Sequence, residues 1–302
     1  MNRAHGFANR VAPRGLFALV ALCVAAPAAF AQAWVPPARV GTFNVVYQTI
    51  DNTGHRLSDG TLLPGGYDSV SRAVLLNFDY AVTDRFSFSL ELPYLASKYL
   101  GPEPSISGLP LDDCFCWNHG WQDWGVTARY NLANGPFALT PSISLGVPTH
   151  DYSYFGEAVL GRNLNEVRIT LDAGQRLDAI SPRLSVSGRY SHAFVEQVLD
   201  LSNNRSNMAL GSDVLITRKL SARAAFSWQR SHGGLRSTEF NSDVAFEQYD
   251  RLLKDNNFHI SGGAAYSFPR FDVFASYLHY VSGTDTHAGR AITAGFSWPF
   301  EL

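Results

Sequence analysis

The chain has 302 residues, with 24 Lys and Arg against 26 Asp and Glu, and 46% of it is hydrophobic. The near-neutral balance, without a basic stripe, argues against a nucleic-acid partner. Three cysteines exclude a disulfide framework, and past the N-terminus no stretch holds the roughly 20 mostly apolar residues of a spanning helix. A barrel strand can still cross a membrane, because alternation hides half its apolar content.

The N-terminus reads as an export signal. Arg3, Arg10 and Arg14 form a basic stretch, Leu16 to Ala26 is apolar up to Pro27, and Ala29-Phe30-Ala31 is a small-x-small cleavage site. The apolar run is too short to span a bilayer. Bulky Leu22 before Cys23 argues against a lipoprotein anchor. Cleavage before Gln32 makes residues 1–31 a signal peptide and 32–302 one barrel domain. The mature chain keeps 21 basic against 26 acidic residues, a formal charge of −5.

Period-two alternation then predicts twelve strands. The first, about 40–50, sets Phe43, Val45 and Tyr47 against Thr42, Asn44 and Gln48. The second sets Val74, Leu76, Phe78 and Tyr80 against Ser71, Asn77 and Asp79, and the third Phe86, Phe88, Leu90 and Leu92 against Ser87, Ser89 and Glu91. The fourth opposes Trp124, Val126, Ala128 and Tyr130 to Asp123, Thr127 and Arg129, and the fifth Leu139, Ile143 and Leu145 to Thr140, Ser142 and Ser144. The sixth opposes Val167, Ile169 and Leu171 to Glu166, Arg168 and Asp172, and the seventh Leu184, Val186 and Tyr190 to Ser185, Ser187 and Arg189. The eighth opposes Met208, Leu210, Val214 and Ile216 to Gly211 and Asp213, and the ninth Phe226 and Trp228 to Arg223 and Gln229. The tenth opposes Phe258 and Ile260 to His259 and Ser261, and the eleventh, Phe271 to Val281, alternates too poorly to assign a face. The twelfth carries Phe296, Trp298 and Phe300 outward and Thr293 and Ser297 inward, and ends at Glu301-Leu302.

Long polar connections, near 51–69, 95–121, 148–164, 195–206 and 231–257, with a shorter one at 282–288, alternate with tight turns such as Thr83-Asp84-Arg85 and Arg218-Lys219. An all-β, transmembrane antiparallel up-and-down barrel has this rhythm, with long extracellular loops and short periplasmic turns. Both termini then lie in the periplasm. Aromatics fall in two belts: Tyr80, Phe86, Phe137, Phe268, Phe271, Trp298 and Phe300 near one rim, Tyr94, Trp124, Trp228 and Phe258 near the other. A soluble β-sandwich also alternates, but needs no paired belts and no terminal aromatic. The expected location is the bacterial outer membrane, with lipid and lipopolysaccharide as surroundings and the barrel-assembly machinery reading the strand that ends at Phe300.

The inward faces hold Asp79, Glu91, Asp123, Glu166, Asp172 and Asp213 with Arg129, Arg168, Arg189 and Arg223. An Arg facing hydrocarbon costs about 2–4 kcal/mol at the midplane, so these groups need a wet or paired interior. They either line a pore of mixed charge or fill the barrel with salt bridges. Phe115, Trp117, Trp121, Tyr152, Tyr154 and Phe155 in the second and third long loops are expected mouth aromatics that capture a solute. Only Gln32 to Arg39 precedes the first strand, too little for a plug, so any gate is expected from loops or lumen side chains.

All eight histidines of the mature chain fall in the outer half. Cys114-x-Cys116-x-x-His119 holds soft ligands, but not at a zinc spacing and without a second pair, so no metal or other cofactor is expected. His259 and Ser261 would suit lipid hydrolysis only if they faced lipid; Phe258 and Ile260 take that face, so no enzyme is expected.

Three stretches resemble a family of outer-membrane proteins named after the meta-pathway of phenol degradation. They are Asp79 to Phe88 with its Thr83-Asp84-Arg85 turn, Leu90-Glu91-Leu92-Pro93-Tyr94, and Trp121 to Tyr130, where Gln122 replaces the family's Gly. The resemblance implies a transporter-like barrel for aromatic or other hydrophobic compounds. The resulting expectation is a passive, porin-like channel for a small-molecule solute; the alternative is a filled, non-conducting barrel with a structural or surface-attachment role.

Overall fold

The computed structural model describes residues 33–101, 116–154 and 158–302; the expected signal peptide, Cys114, Phe115 and Phe155 lie outside them. Among the described residues the strands are β1 (Val40–Arg56), β2 (Leu62–Ala81), β3 (Phe86–Tyr99), β4 in two pieces (Asn118–Trp121 and Trp124–Tyr130), β5 (Phe137–Val147) and β6 (Glu166–Arg176). They continue with β7 (Leu184–Val195), β8 (Arg205–Leu215), β9 (Leu220–Ser231), β10 (Asn256–Ser267), β11 (Asp272–Thr284) and β12 (Thr286–Glu301). Each pairs antiparallel with its sequence neighbours, and β12 returns to pair with β1 from Val40↔Glu301 to Arg56↔Thr286. The result is a closed twelve-strand antiparallel barrel. No helix of the described residues is long and apolar enough to cross a membrane.

Alternation decides the faces. The exposed large apolar residues, including Tyr47, Leu90, Ile143, Ile169, Leu210, Ile260, Ile292 and Trp298, stand on the outer surface. Their strand neighbours Ser89, Thr140, Thr170, Arg223 and Thr293 are buried inside. An apolar exterior with a polar interior is the inverse of a soluble core and suits a hydrocarbon surround. The unassigned β11 resolves with Tyr277 and Val281 exposed and Ser276 and Tyr280 buried. Its faces are hard to read because large residues, among them Leu278 and Tyr280, also point inward.

Two expected loops prove to be largely strand. β1 and β2 pair as far as Arg56↔Leu62, leaving residues 57–61 as the turn, and β11 reaches β12 through Asp285 in the left-handed region (φ 51). A strand needs about 9–11 residues to cross, whereas β1 has 17 and β2 has 20. The surplus rises past the apolar belt, where alternation fades. At the other end two of the tight turns share one device. The Thr83 hydroxyl accepts from the N–H groups of Arg85 (3.2 Å) and Phe86 (2.9 Å), and that of Thr217 from Lys219 (3.2 Å) and Leu220 (3.0 Å).

The seam is braced by aromatics. Phe300 on β12 stacks on Phe78 and Tyr80 of β2, with centroids 5.6 and 6.3 Å apart, by reaching across β1. It passes over Gly41, where an added Cβ would run into its ring. Gly41→Val is therefore expected to cost about 1–3 kcal/mol by overpacking, measured as a lower urea midpoint for the folded barrel in lipid micelles.

Candidate functional site: the lumen and its covers

The inward charges are held on the wall by pairing. Arg189 on β7 meets its register partner Asp172 on β6 (Nε to Oδ1 2.7 Å). Arg223 on β9 likewise pairs with its register partner Asp213 on β8. Arg129 reaches both Asp79 (3.2 Å) and Ser89 (2.5 Å), while Asn44 donates to the second Asp79 oxygen (3.2 Å). Glu166 is shared by Arg168 (2.6 Å) and Arg205. Such pairs fix geometry more than they add stability, since desolvation offsets the attraction.

The pairs do not fill the barrel. A cavity of about 620 Å³ remains, lined by Glu91, Asp123, Arg129, Glu166, Arg168 and Arg189 and also by Arg162, Arg205, Asp250 and His287. Of the other expected lumen residues, Asp79, Asp172, Asp213 and Arg223 sit in the wall pairs. Arg205 was legible: the β8 alternation, continued three residues back from Met208, turns it inward. Arg162 and Asp250 lie in loops, where no period marks a facing.

The floor of the lumen corrects the sequence reading. Residues 33–35 enter the barrel at its short-turn end. The Ala33 carbonyl accepts from Asn131 Nδ2 (3.0 Å) and Thr140 Oγ1 (2.6 Å), and Trp34 Nε1 donates to the Gly135 carbonyl (3.0 Å). Trp34 lies over Gly174, where a Cβ would strike the indole. Ala33 and Val35 are buried. The segment is indeed short, but a few residues suffice because Gly174 leaves room for the indole and two inward side chains bind one carbonyl.

The roof is made by the long loops. Between β9 and β10 a 3₁₀ turn (Ser237–Glu239), α1 (Asp243–Glu247) and α2 (Tyr249–Leu252) fold inward, burying Tyr249, Leu252 and Leu253. Arg251 donates to the carbonyls of Arg162 (2.7 Å) and Asn163 (2.8 Å) and covers the ring of Tyr154 at 3.2 Å. Asn203 holds the Arg251 and Leu253 carbonyls (3.1 and 2.9 Å). Asp285 ties the β11–β12 turn to Ser58 and Ser237. Tyr152 gives its hydroxyl to Asp123 and accepts from the Asn163 N–H (2.8 Å). Burial and then the Asp123 carboxylate push the Tyr152 phenol above its usual range, keeping it a donor.

The mouth aromatics divide. Tyr152 and Tyr154 are part of the roof. Trp121 is not at the mouth: it is the register partner of Tyr94 on the outer surface, 43% exposed, with the rings 5.3 Å apart. Trp117 lies on the same side under the Arg72 guanidinium, 4.8 Å from its ring. Phe115 and Phe155 lie outside the described residues. His119, expected beside soft ligands, bonds Tyr94 (3.0 Å), while Cys116 is disulfide-bonded. Ser261 donates to the Ala225 carbonyl (3.5 Å), and His259 stands beside Tyr280. Among the described residues no three His, Cys, Asp or Glu side chains converge on a metal position.

A closed antiparallel barrel with an apolar exterior and a roofed polar cavity is built as outer-membrane barrels are. The chain is similar to the COG4313 outer membrane channel from Pseudomonas putida F1, with a TM-score of 0.71 at 13% identity over 91% of this chain and 99% of that one. It is also similar to the β domain of the Bordetella autotransporter BrkA, with a TM-score of 0.51 at 12% identity over 86% of this chain and all of that one. At these identities the likeness is one of fold. No protein-family model and no curated protein matches the sequence.

Two outcomes follow from the covers. Deleting residues 33–35 is expected to raise single-channel conductance severalfold, measured in planar bilayers against the intact chain. Arg251→Ala removes charged hydrogen bonds worth about 1.5–3 kcal/mol each. It is expected to speed amide exchange in residues 158–164 and 243–253 at least about tenfold, with the barrel strands unchanged.

Proposed function

We propose that residues 32–302 form a passive bacterial outer-membrane channel for small solutes, exported by cleavage of the signal peptide 1–31. The observation that carries this reading is the roughly 620 Å³ cavity kept open beneath the roof despite the wall of ion pairs. A barrel that only had to be stable would gain by packing that space. In this reading the short-turn end is periplasmic, lipid and lipopolysaccharide surround the wall, and assembly begins from the strand ending at Phe300.

The resemblance to the phenol meta-pathway family points to aromatic or other hydrophobic solutes. The lining adds a condition. Glu91, Asp123, Arg129, Arg168 and Arg189 all border the cavity. A plain hydrocarbon would have to strip water from these groups, so aromatic solutes bearing a hydroxyl or carboxyl fit the route better. Loops 95–121 and 148–164 are the proposed entry.

One observation favours the second reading, a closed barrel with a structural role: residues 33–35 sit inside the short-turn end, and the segments joined by Arg251 lie over the cavity. Conductance separates the two. Purified, folded protein in a planar bilayer is expected to give discrete current steps, reduced by millimolar aromatic solutes in a side-dependent manner. A silent membrane, with the deletion of residues 33–35 silent too, would refute the channel.

A further inference from the structure

The wall carries a polar cluster on its outer surface that has no part in the lumen. Ser206, on the face of Met208 and Leu210, has its Oγ 2.7 Å from His232 Nε2, 3.0 Å from His192 Nδ1 and 3.0 Å from the Tyr190 hydroxyl. The four groups come from β7, β8 and the residue after β9, at the long-loop end. Register explains the meeting: Ser206 pairs directly with His192 on one side and Arg230 on the other, and the His232 N–H holds the Asn204 carbonyl at 2.7 Å. The His192 and His232 rings are 5.3 Å apart.

From this geometry we infer a second, exterior site: a Ser206–His232 pair that cleaves acyl esters of lipids lying against the outer rim of the barrel. A hydroxyl bonded to an imidazole nitrogen is the minimum for a serine nucleophile with its base. His259 and Ser261 lack this geometry and face inward; Ser206 and His232 have it and face out.

The step balances with water as the second reactant. Ser206 Oγ bonds to the ester carbonyl carbon while its proton passes to His232 Nε2. The carbon–oxygen bond to the alcohol then breaks, and the alcohol leaves with that proton. Water next attacks the acyl-serine, giving its proton to His232, and Ser206 is regenerated as the fatty acid departs. With His232 accepting from Ser206, His192 in its Nδ1–H tautomer is the donor left beside the developing oxyanion.

The surroundings suit such a substrate. Phe194, Met208 and Leu210 expose apolar surface beside the serine for an acyl chain, and Arg230 stands next to Ser206 for an anionic headgroup. Ser206 is only 3% exposed, whereas Tyr190 is 51% exposed, so the phenol is the cover that swings to admit an ester. Burial and then the neighbouring His192 hold His232 below the ordinary imidazole range, which leaves it unprotonated as a base at neutral pH.

The test uses the full mature chain folded in detergent–phospholipid micelles. A fluorescent fluorophosphonate is expected to label it, and fatty acid to be released from phospholipid or lipid A. Ser206→Ala should abolish labelling. Ser206→Ala and His232→Gln should each lower release about 100-fold or more, while conductance and the gel mobility of the folded barrel stay as in the parent. Failure of the folded parent to label and to release acyl chains would overturn the inference, as would release that survives in Ser206→Ala. Failure of the parent to label or to release acyl chains is read on the parent chain, so that outcome does not depend on how well a variant folds.

Discussion

The structure depends on one constraint: every backbone N–H and C=O of the sheet needs a partner, and in the hydrocarbon surround proposed for this apolar wall only the protein itself can supply it. A sheet meets it only by closing, and here closure falls on the ladder between β1 and β12. Once that register is fixed, the face of every strand residue is fixed too, because a slip of one position would turn all the side chains over. The charged positions then follow. Asp172 with Arg189, and Asp213 with Arg223, are direct register partners, so neighbouring strands neutralise one another without long reach.

Twelve strands make a lumen of intermediate width. Smaller barrels are filled by their own side chains, and wide porins leave an aqueous channel. In this barrel the wall pairs take part of the cross-section and leave a cavity. Separate pieces of chain then cover it. Below, Trp34 uses the missing side chain at Gly174; above, Arg251 joins two loops by binding backbone carbonyls. Both covers combine hydrogen bonds to main-chain acceptors with packed side chains, Trp34 against Gly174 below and Tyr249, Leu252 and Leu253 above. They can yield without disturbing the ladder, so local opening stays separate from global unfolding.

What the sequence made legible was whatever alternation controls. The closing seam, the inward carboxylates and guanidiniums and every strand but β11 lie in segments with one apolar face; β11 turns Leu278 and Tyr280 inward and shows no clean period. Legibility failed in two kinds of place. Beyond the hydrocarbon both faces of a strand are polar, so Asp51 to Arg56 read as loop although they continue β1. In connections no period exists, so Trp117 and Trp121 were placed at the mouth when they lie on the outside. The burial of Ala33 and Val35 likewise leaves no mark in their own sequence; its trace is the inward glycine at 174, visible only once β6 is in place.

The same alternation lets one strand serve two chemistries. Arg205 and Ser206 are adjacent, yet Arg205 pairs with Glu166 at the cavity while Ser206 meets two imidazoles outside. The sheet between them is one backbone thick, and its hydrogen bonds are used up in the ladder, so neither group touches the other's environment. A polar exterior group at such a position carries a cost in hydrocarbon unless its partners lie on the same face. Ser206 has three, Tyr190 and His192 from β7 and His232 from the end of β9, and only strand pairing brings the two sources together. That convergence is a property of register, as are the lumen pairs, and it lies at the long-loop rim of the barrel.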